Sequence, residues 1–209
     1  MLVKIQQFVL ESYNSNTFLI SSSNDDNAFC LIDVGNSKDV LKSLEKEQKI
    51  KSLFLTHAHY DHIAGITEII NRFPDCIIYC HAYTKEALAD SKLNLSFYHQ
   101  TPVTFSGDNI VVISENSSIP IFNDLEIEVI ATPGHNAGCL TFKLKNNFFT
   151  GDALIPGRAI VTKLKSGNKT EAHNSIRKLK DKTLPDSVIF PGHGNSILAK
   201  EIDWDFYLK

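Results

Sequence analysis

Thr56-His57-Ala58-His59-Tyr60-Asp61-His62 is the stretch on which the fold turns. Three imidazoles and a carboxylate crowd into it, and each polar atom buried without a partner costs roughly 1–3 kcal/mol. A bound cation satisfies all of them at once. Residues 51–55 before it form a short apolar run of strand character, and the apolar spacing of 63–72 after it suits a helix. The stretch is therefore a strand-to-helix loop. In extended backbone, residues two apart point the same way, so His57 and His59 face one ion together. Asp61 and His62 arrive as the chain turns into the helix and face a second ion a few Å away. The bland alternative makes Asp61 the helix N-cap, beside three histidines on a polar surface.

Working outward, residues 3–11 and 17–21 read as a hairpin joined through the turn-rich 12–16. Residues 28–32 are apolar throughout, as in a strand buried on both faces, and run into Asp33-Val34-Gly35. Asn36 or Ser37 caps a helix over 38–48, with Val40, Leu41 and Leu44 as its apolar stripe. Pro74 breaks the chain before a strand at 76–80, and a short helix follows at 83–90. The stretch 91–105 has no clear period. Strands follow at 110–114, 125–131, 139–145 and 147–150, with a tight turn at Asn146-Asn147, then a helix at 170–179 and a strand at 187–190.

At 209 residues the chain is read as one domain, 1–209, long enough to bury roughly 70% of its unfolded surface. Its 43% hydrophobic and 22% charged residues are those of an ordinary globular protein. A net charge of −3 argues against a nucleic-acid partner. Cys30, Cys76, Cys80 and Cys139 lack the close paired spacing of a structural zinc site and read as reduced, buried residues. The N-terminal residues lack the layout of a secretory signal, and no run approaches a membrane span. A cytoplasmic location and no membrane partner are expected.

Three further loops follow strands and carry ligand-type side chains: Thr132-Pro133-Gly134-His135, Gly151-Asp152 and Pro191-Gly192-His193. Alone, each is more often a hydrogen-bonded turn; beside the histidine stretch they are candidate ligands. The order His57-Ala58-His59-Tyr60-Asp61-His62, His135, Asp152, His193 resembles the metallo-β-lactamase-fold metallohydrolases over nearly the whole chain, 16–194. Asp33-Val34-Gly35 resembles that family's early Asp-x-Gly loop. The resemblance implies an α/β (α+β) fold, a four-layer αββα sandwich with the site at one edge of two sheets. It implies that His57, His59 and His135 hold one ion, that Asp61, His62 and His193 hold the other, and that Asp152 bridges them. Asp61 and Asp152 are then the expected catalytic carboxylates, and Asp33 is expected to orient a ligand histidine. Two divalent ions are expected. Zinc suits imidazole with carboxylate, with iron or manganese as alternatives.

The bridging Asp152, with Gly151-Asp152-Ala153-Leu154 and Gly157-Arg158, is similar to the glyoxalase II (hydroxyacylglutathione hydrolase) branch. Two departures stand out. The C-terminal helical domain that binds glutathione in that branch is not expected here, and Asn136-Ala137-Gly138-Cys139 stands where the family most often has Thr-Pro-Gly-Ser. The expected activity is a dinuclear hydrolase in which a hydroxide shared by the ions attacks a carbonyl. A thiolate leaves readily, with a reference pKa of about 8.5, which favours a thioester or an activated ester such as a lactone. The partner is a small molecule. Arg158, Lys163 and Lys165 are candidates to attract an anionic one, whereas the cations from Arg177 onward read as a solvated helix face. Of the histidines outside the loops, His99 is singled out because the aperiodic 91–105 is a candidate to cover the site. Rival readings are an iron-dependent persulfide dioxygenase, a phosphodiesterase or nuclease of the same fold, and a non-catalytic metal-binding protein.

Overall fold

Strand side chains alternate between two faces, and here the alternation sorts apolar residues into three separate layers. The computed structural model describes residues 2–23, 25–122 and 125–209. One sheet takes β1 (Val3–Leu10), β2 (Ser15–Ser22), β3 (Asp25–Ile32), β4 (Lys49–Phe54), β5 (Ile77–Cys80) and β6 (Ile110–Val112) in chain order, antiparallel up to β3 and parallel from there. The other is built from β7 (Ser118–Phe122), β8 (Leu125–Ala131), β9 (Leu140–Leu144), β10 (Asn147–Gly151), β11 (Val188–Pro191) and β12 (Ile197–Leu198), hydrogen-bonded in the order β12 to β7. In β2, Phe18 and Ile20 point between the sheets while Leu19 points to the outer helices. β10 divides in the same way, Phe149 inward and Phe148 outward.

The helices cover both outer faces. α1 (Ser37–Ser43), α2 (Tyr60–Ile63), α3 (Ile66–Arg72) and α4 (Ala82–Ala89) lie on the first sheet, over Leu31, Leu53 and Ile78. α5 (Lys169–Lys182) and α6 (Trp204–Leu208) lie on the second, where Ile176, Leu179 and Tyr207 meet Phe148 and Ile189. This is the expected αββα sandwich. Between the sheets Phe54 stacks on Tyr79 at 4.7 Å and meets Phe142 edge-on at 5.2 Å. Fully burying one such side chain contributes about 1.5–3 kcal/mol.

Several local expectations are corrected. α1 stops at Ser43 rather than 48: the Ser43 hydroxyl donates to the Val40 carbonyl, and Leu44 goes extended to pack on the first core. The expected helix over 63–72 is split after Ile63, because Val34 clips into the gap, donating to the His62 carbonyl and accepting from the Gly65 N–H, each at 2.8 Å. The turn between β9 and β10 falls on Lys145-Asn146, with Lys145 at φ 55°. β7 escaped the sequence reading because it contains Pro120, which removes a ladder donor and is accommodated at a sheet edge. β12 is only two residues long. The aperiodic 91–105 stretch is fixed by side chains: the Asn94 amide and the Ser96 hydroxyl each donate to the Val103 carbonyl at 2.9 Å.

Because β3 and β4 are parallel, and β8, β10 and β11 share one direction, five loops open at the same end of the molecule. Two backbone bonds stitch the sheets together there, Leu140 N–H to the Thr56 carbonyl at 2.9 Å and Asn16 N–H to the Gly192 carbonyl at 2.7 Å. Among the described residues no helix is long and apolar enough to cross a membrane.

Candidate metal centre

Each candidate ligand sits just beyond a strand, where the ladder ends and the backbone is free to turn. After β4 the chain bends at Thr56 and runs to His59, the extended N-cap residue of α2. His57 and His59 therefore share a side, their ring centroids 4.6 Å apart. Asp61 in the first turn of α2, with His62 behind it, is carried round to the other side. His135, from the loop after β8, brings Nε2 within 2.8 Å of His59 Nδ1. Asp152, after β10, stands between the two sets. Its Oδ2 is 3.6 Å from His135 Nε2, and its Oδ1 is 3.4 Å from both His62 Nε2 and His193 Nε2. Asp61 Oδ2 completes the second set at 3.5 Å from His62 Nε2 and 3.3 Å from His193 Nε2. The donor atoms of His57, His59 and His135 lie within 4.8 Å of one another, as do those of Asp61, His62 and His193, and those of His57, His62 and Asp152 between them.

Hydrogen bonds behind the rings fix which nitrogen faces the centre. Asp33 accepts from His62 Nδ1 at 2.8 Å, from the Thr56 hydroxyl at 2.7 Å and from the Thr56 N–H at 2.8 Å. With its proton given to Asp33, Thr56 Oγ1 is left to accept from His57 Nδ1 at 3.1 Å. His135 Nδ1 donates to the Val161 carbonyl at 2.9 Å, and His193 Nδ1 faces the Tyr13 and Asn14 carbonyls at 3.2 and 3.1 Å. Asp33 thus orients and does not enter the donor sets. The loops also need glycine for close approach: a Cβ at Gly192 would lie 2.2 Å from Asp152 Oδ1, and one at Gly134 would lie 2.3 Å from the Ala172 backbone of α5.

These residues fit metal. His57 Nε2, His62 Nε2 and Asp152 Oδ1 are buried with no hydrogen-bond partner, a costly arrangement in a protein interior. His59 Nδ1 and His135 Nε2 face each other at 2.8 Å, with the Nδ1 proton of His135 already committed to Val161. Two cations placed among the triads would take up every one of these lone pairs, so the His/Asp cluster has the form of a dinuclear metal site.

The electrostatics of the two sets differ. Burial, helped by the neighbouring imidazoles, holds His57 well below the ordinary histidine pKa and His59 down at about 3, and burial also lowers His135. His62 is buried too, yet the Asp61 and Asp152 carboxylates and the Asp33 acceptor raise it well above the ordinary value. His193 is raised against burial by Asp152. Asp152 is likewise buried, but His62 and His193 hold it well below the usual carboxylate range.

A cavity of about 180 Å³ opens on the centre, lined by His135, Asp152 and His193 on one side and by Ile155, Arg158 and Ile160 on the other. Arg158 is thus brought to the site; Lys163 and Lys165 are exposed on the following loop and do not line the cavity. A neighbouring cavity of about 170 Å³ shares Ala159 and Ile160 and is lined by Lys169 and His173 of α5. Sequence reasoning missed Thr56, although it directly precedes the histidines. It also missed the Val161, Tyr13 and Asn14 carbonyls, which as backbone groups leave no mark in a sequence. His99 packs at the rim, stacked on Tyr60 at 4.0 Å with its Nδ1 2.8 Å from the Tyr13 hydroxyl.

The chain belongs to the metallo-beta-lactamase superfamily, whose model matches residues 11–193. Among curated proteins it is similar to the hydroxyacylglutathione hydrolase of Buchnera aphidicola subsp. Schizaphis graminum, 32% identical over 163 residues, covering 77% of this chain and 57% of the relative. The hydroxyacylglutathione hydrolase of Salmonella arizonae is 29% identical over 168 residues, covering 80% and 57%. The chain therefore spans little more than half the length of these relatives. Among solved structures, the fold is shared with BLEG-1, a B3 metallo-beta-lactamase (TM-score 0.81, 24% identity, 93% of this chain and 94% of that one). It is also shared with TTHA1623 in a di-iron-bound form (0.77, 21%, 92% and 94%) and with ETHE1 from Myxococcus xanthus (0.70, 20%, 95% and 80%).

Proposed function

We propose that the chain is a dinuclear metal-dependent hydrolase of thioesters or activated esters, similar to hydroxyacylglutathione hydrolase. The observation that carries this reading is Asp152, whose two oxygens stand between two histidine-rich donor sets and whose buried Oδ1 has no hydrogen-bond partner. His57, His59 and His135 would hold one ion, Asp61, His62 and His193 the other, and Asp152 would bridge them. Zinc is the expected metal; a relative of the same fold holds two irons. When bound, such ions polarise a carbonyl and lower the pKa of water toward neutrality.

The protein's own groups supply the rest. Asp33, Val161 and the 13–14 carbonyls keep the imidazoles in the tautomer that offers a lone pair to the centre. Ile155 and Ile160 give the cavity a dry wall against which an acyl group packs. Apart from the candidate ligands, the titratable group lining it is Arg158, which does not give up a proton, so a leaving group that needs no acid is favoured. A thiolate meets that condition. Arg158 at the edge, with Lys169 and His173 lining the adjoining cavity, favours an anionic small molecule.

The test is elemental analysis of protein purified without added metal, followed by a hydrolysis panel led by S-lactoylglutathione and including a lactone and a phosphodiester. About two ions per chain with thioester or lactone cleavage supports the reading. Inactivity across the metal-loaded panel overturns it, and iron with oxygen uptake on a persulfide substrate replaces it.

A further inference from the structure

The Asp61–His193 half of the centre stands on a hairpin turn far away in sequence. The Tyr13 and Asn14 carbonyls between β1 and β2 receive His193 Nδ1, and the Ser15 hydroxyl at the start of β2 donates to the Asp61 carbonyl at 2.8 Å. The Asn16 amide donates to the Pro191 and Gly194 carbonyls, each at 2.9 Å. The outer end of this turn is gripped by one residue from the segment between α4 and β6. His99 Nδ1 meets the Tyr13 hydroxyl at 2.8 Å, the His99 ring lies flat on Tyr60 with 16° between the planes, and Tyr13 stands edge-on to both rings at 5.4 and 5.7 Å. The segment is itself anchored: Leu93, Val103 and Phe105 pack on the first core, and Phe105 N–H donates to the Leu88 carbonyl at 2.8 Å. On the other half, His57 rests on Thr56 and His135 on Val161, with no hydrogen bond to this cluster among the described residues.

We propose that Tyr13 and His99 are positioning residues for the second ion, forming a clasp that holds the 13–16 turn where its carbonyls orient His193. This rests on the two-ion reading of the centre and is independent of the substrate. The leverage is geometric. The two bonds to His193 Nδ1, at 3.1 and 3.2 Å, are already at the long end of the hydrogen-bond range, so a small outward shift of the turn forfeits them. His193 then loses its fixed tautomer and ring angle, and with them its grip on the ion that Asp61 and His62 share. His57, His59 and His135 are untouched by such a shift.

The experiment is a stepwise Zn²⁺ titration of the full chain, stripped with chelator, in competition with a chromophoric chelator. The step abolished in His193→Ala defines the second ion. Tyr13→Phe removes only the hydroxyl, and His99→Ala removes the clasp. Both are expected to weaken the second step roughly three- to tenfold, below the 10–100-fold typical of deleting a direct partner of a ligand, and to leave the first step unchanged. His99→Gln, which keeps a hydrogen-bonding group for Tyr13, is expected to fall between His99→Ala and the wild type. Equal weakening of both steps, accompanied by a lower melting temperature of the metal-free variants, would show plain support of the fold and overturn the proposal. So would two unchanged steps. A wild-type chain that binds a single ion would overturn the two-ion reading itself, an outcome visible before any variant is made.

Discussion

The two halves of the centre use the same side-chain chemistry in opposite electrostatic settings. His57, His59 and His135 are buried and their pKa values are depressed, so they meet a cation as neutral lone-pair donors. Asp61, His62 and His193 form an acid-rich half in which both histidines have raised pKa values. On the proposed two-ion reading, the first half would take up metal without losing a proton, whereas the second would release protons on binding it. One carboxylate, Asp152, belongs to both.

That shared position gives the largest expected effect. Asp152→Asn keeps the shape and removes the charge, and it should erase the difference between the halves by weakening both. Hydrolysis is expected to fall on the order of 10²–10³-fold, the usual cost of losing one group that stabilises reacting charge, with metal content below two ions per chain by elemental analysis. His59→Ala and His193→Ala should instead separate the halves, each retaining one ion. Loss of both ions from either variant would mean that the halves are not independent.

Asp33→Asn sharpens the comparison from behind the ligands. Asp33 sits at φ 56°, a conformation asparagine tolerates, so the substitution tests the acceptor role and not backbone strain. It should lower metal affinity about 10–100-fold, as removing a ligand-orienting partner does, with the second step affected more because the bond to His62 Nδ1 is direct.

Proton competition distinguishes the halves without mutation. His62 and His193, with raised pKa values, hold protons that an incoming ion expels, so lowering the pH through the neutral range should release the second ion first. His59, at about 3, and the depressed His57 stay neutral there, so the first ion should persist to lower pH. Calorimetric titrations in buffers of different ionisation enthalpy should show proton release mainly in the second step. The smallest expected effect lies at the rim: Arg158→Ala should raise KM for an anionic thioester about two- to fivefold, the scale of an exposed charge interaction. Lys163→Ala and Lys165→Ala should leave KM unchanged, and a larger effect from either lysine would reverse that placement.

Much of this was legible in the chain. The i, i+2 spacing of His57 and His59, followed by Asp61 and His62 at the helix entry, is a local pattern, and local backbone geometry turned it into two groups as read. The strand expected over 125–131 likewise formed, with Leu125, Ile127 and Val129 buried between the sheets. Where local pattern conflicted with a distant contact, the contact won. The helix expected over 63–72 broke because Val34 needed its backbone groups, and β7 formed around Pro120 because it is an edge strand, paired with β8 on one side alone.

By itself, then, the sequence determined the class of donor and the strand-ending loops that carry it, because these follow from patterns a few residues long, while the αββα layering was implied by the family those motifs resemble. Tertiary structure alone decided which ring nitrogens meet, that Arg158 lines the cavity while Lys163 and Lys165 stay outside, and that the Tyr13 carbonyl supports His193 from 180 positions away. Backbone carbonyls carry no side-chain signal, and contacts across such separations exist only once both sheets have closed on each other.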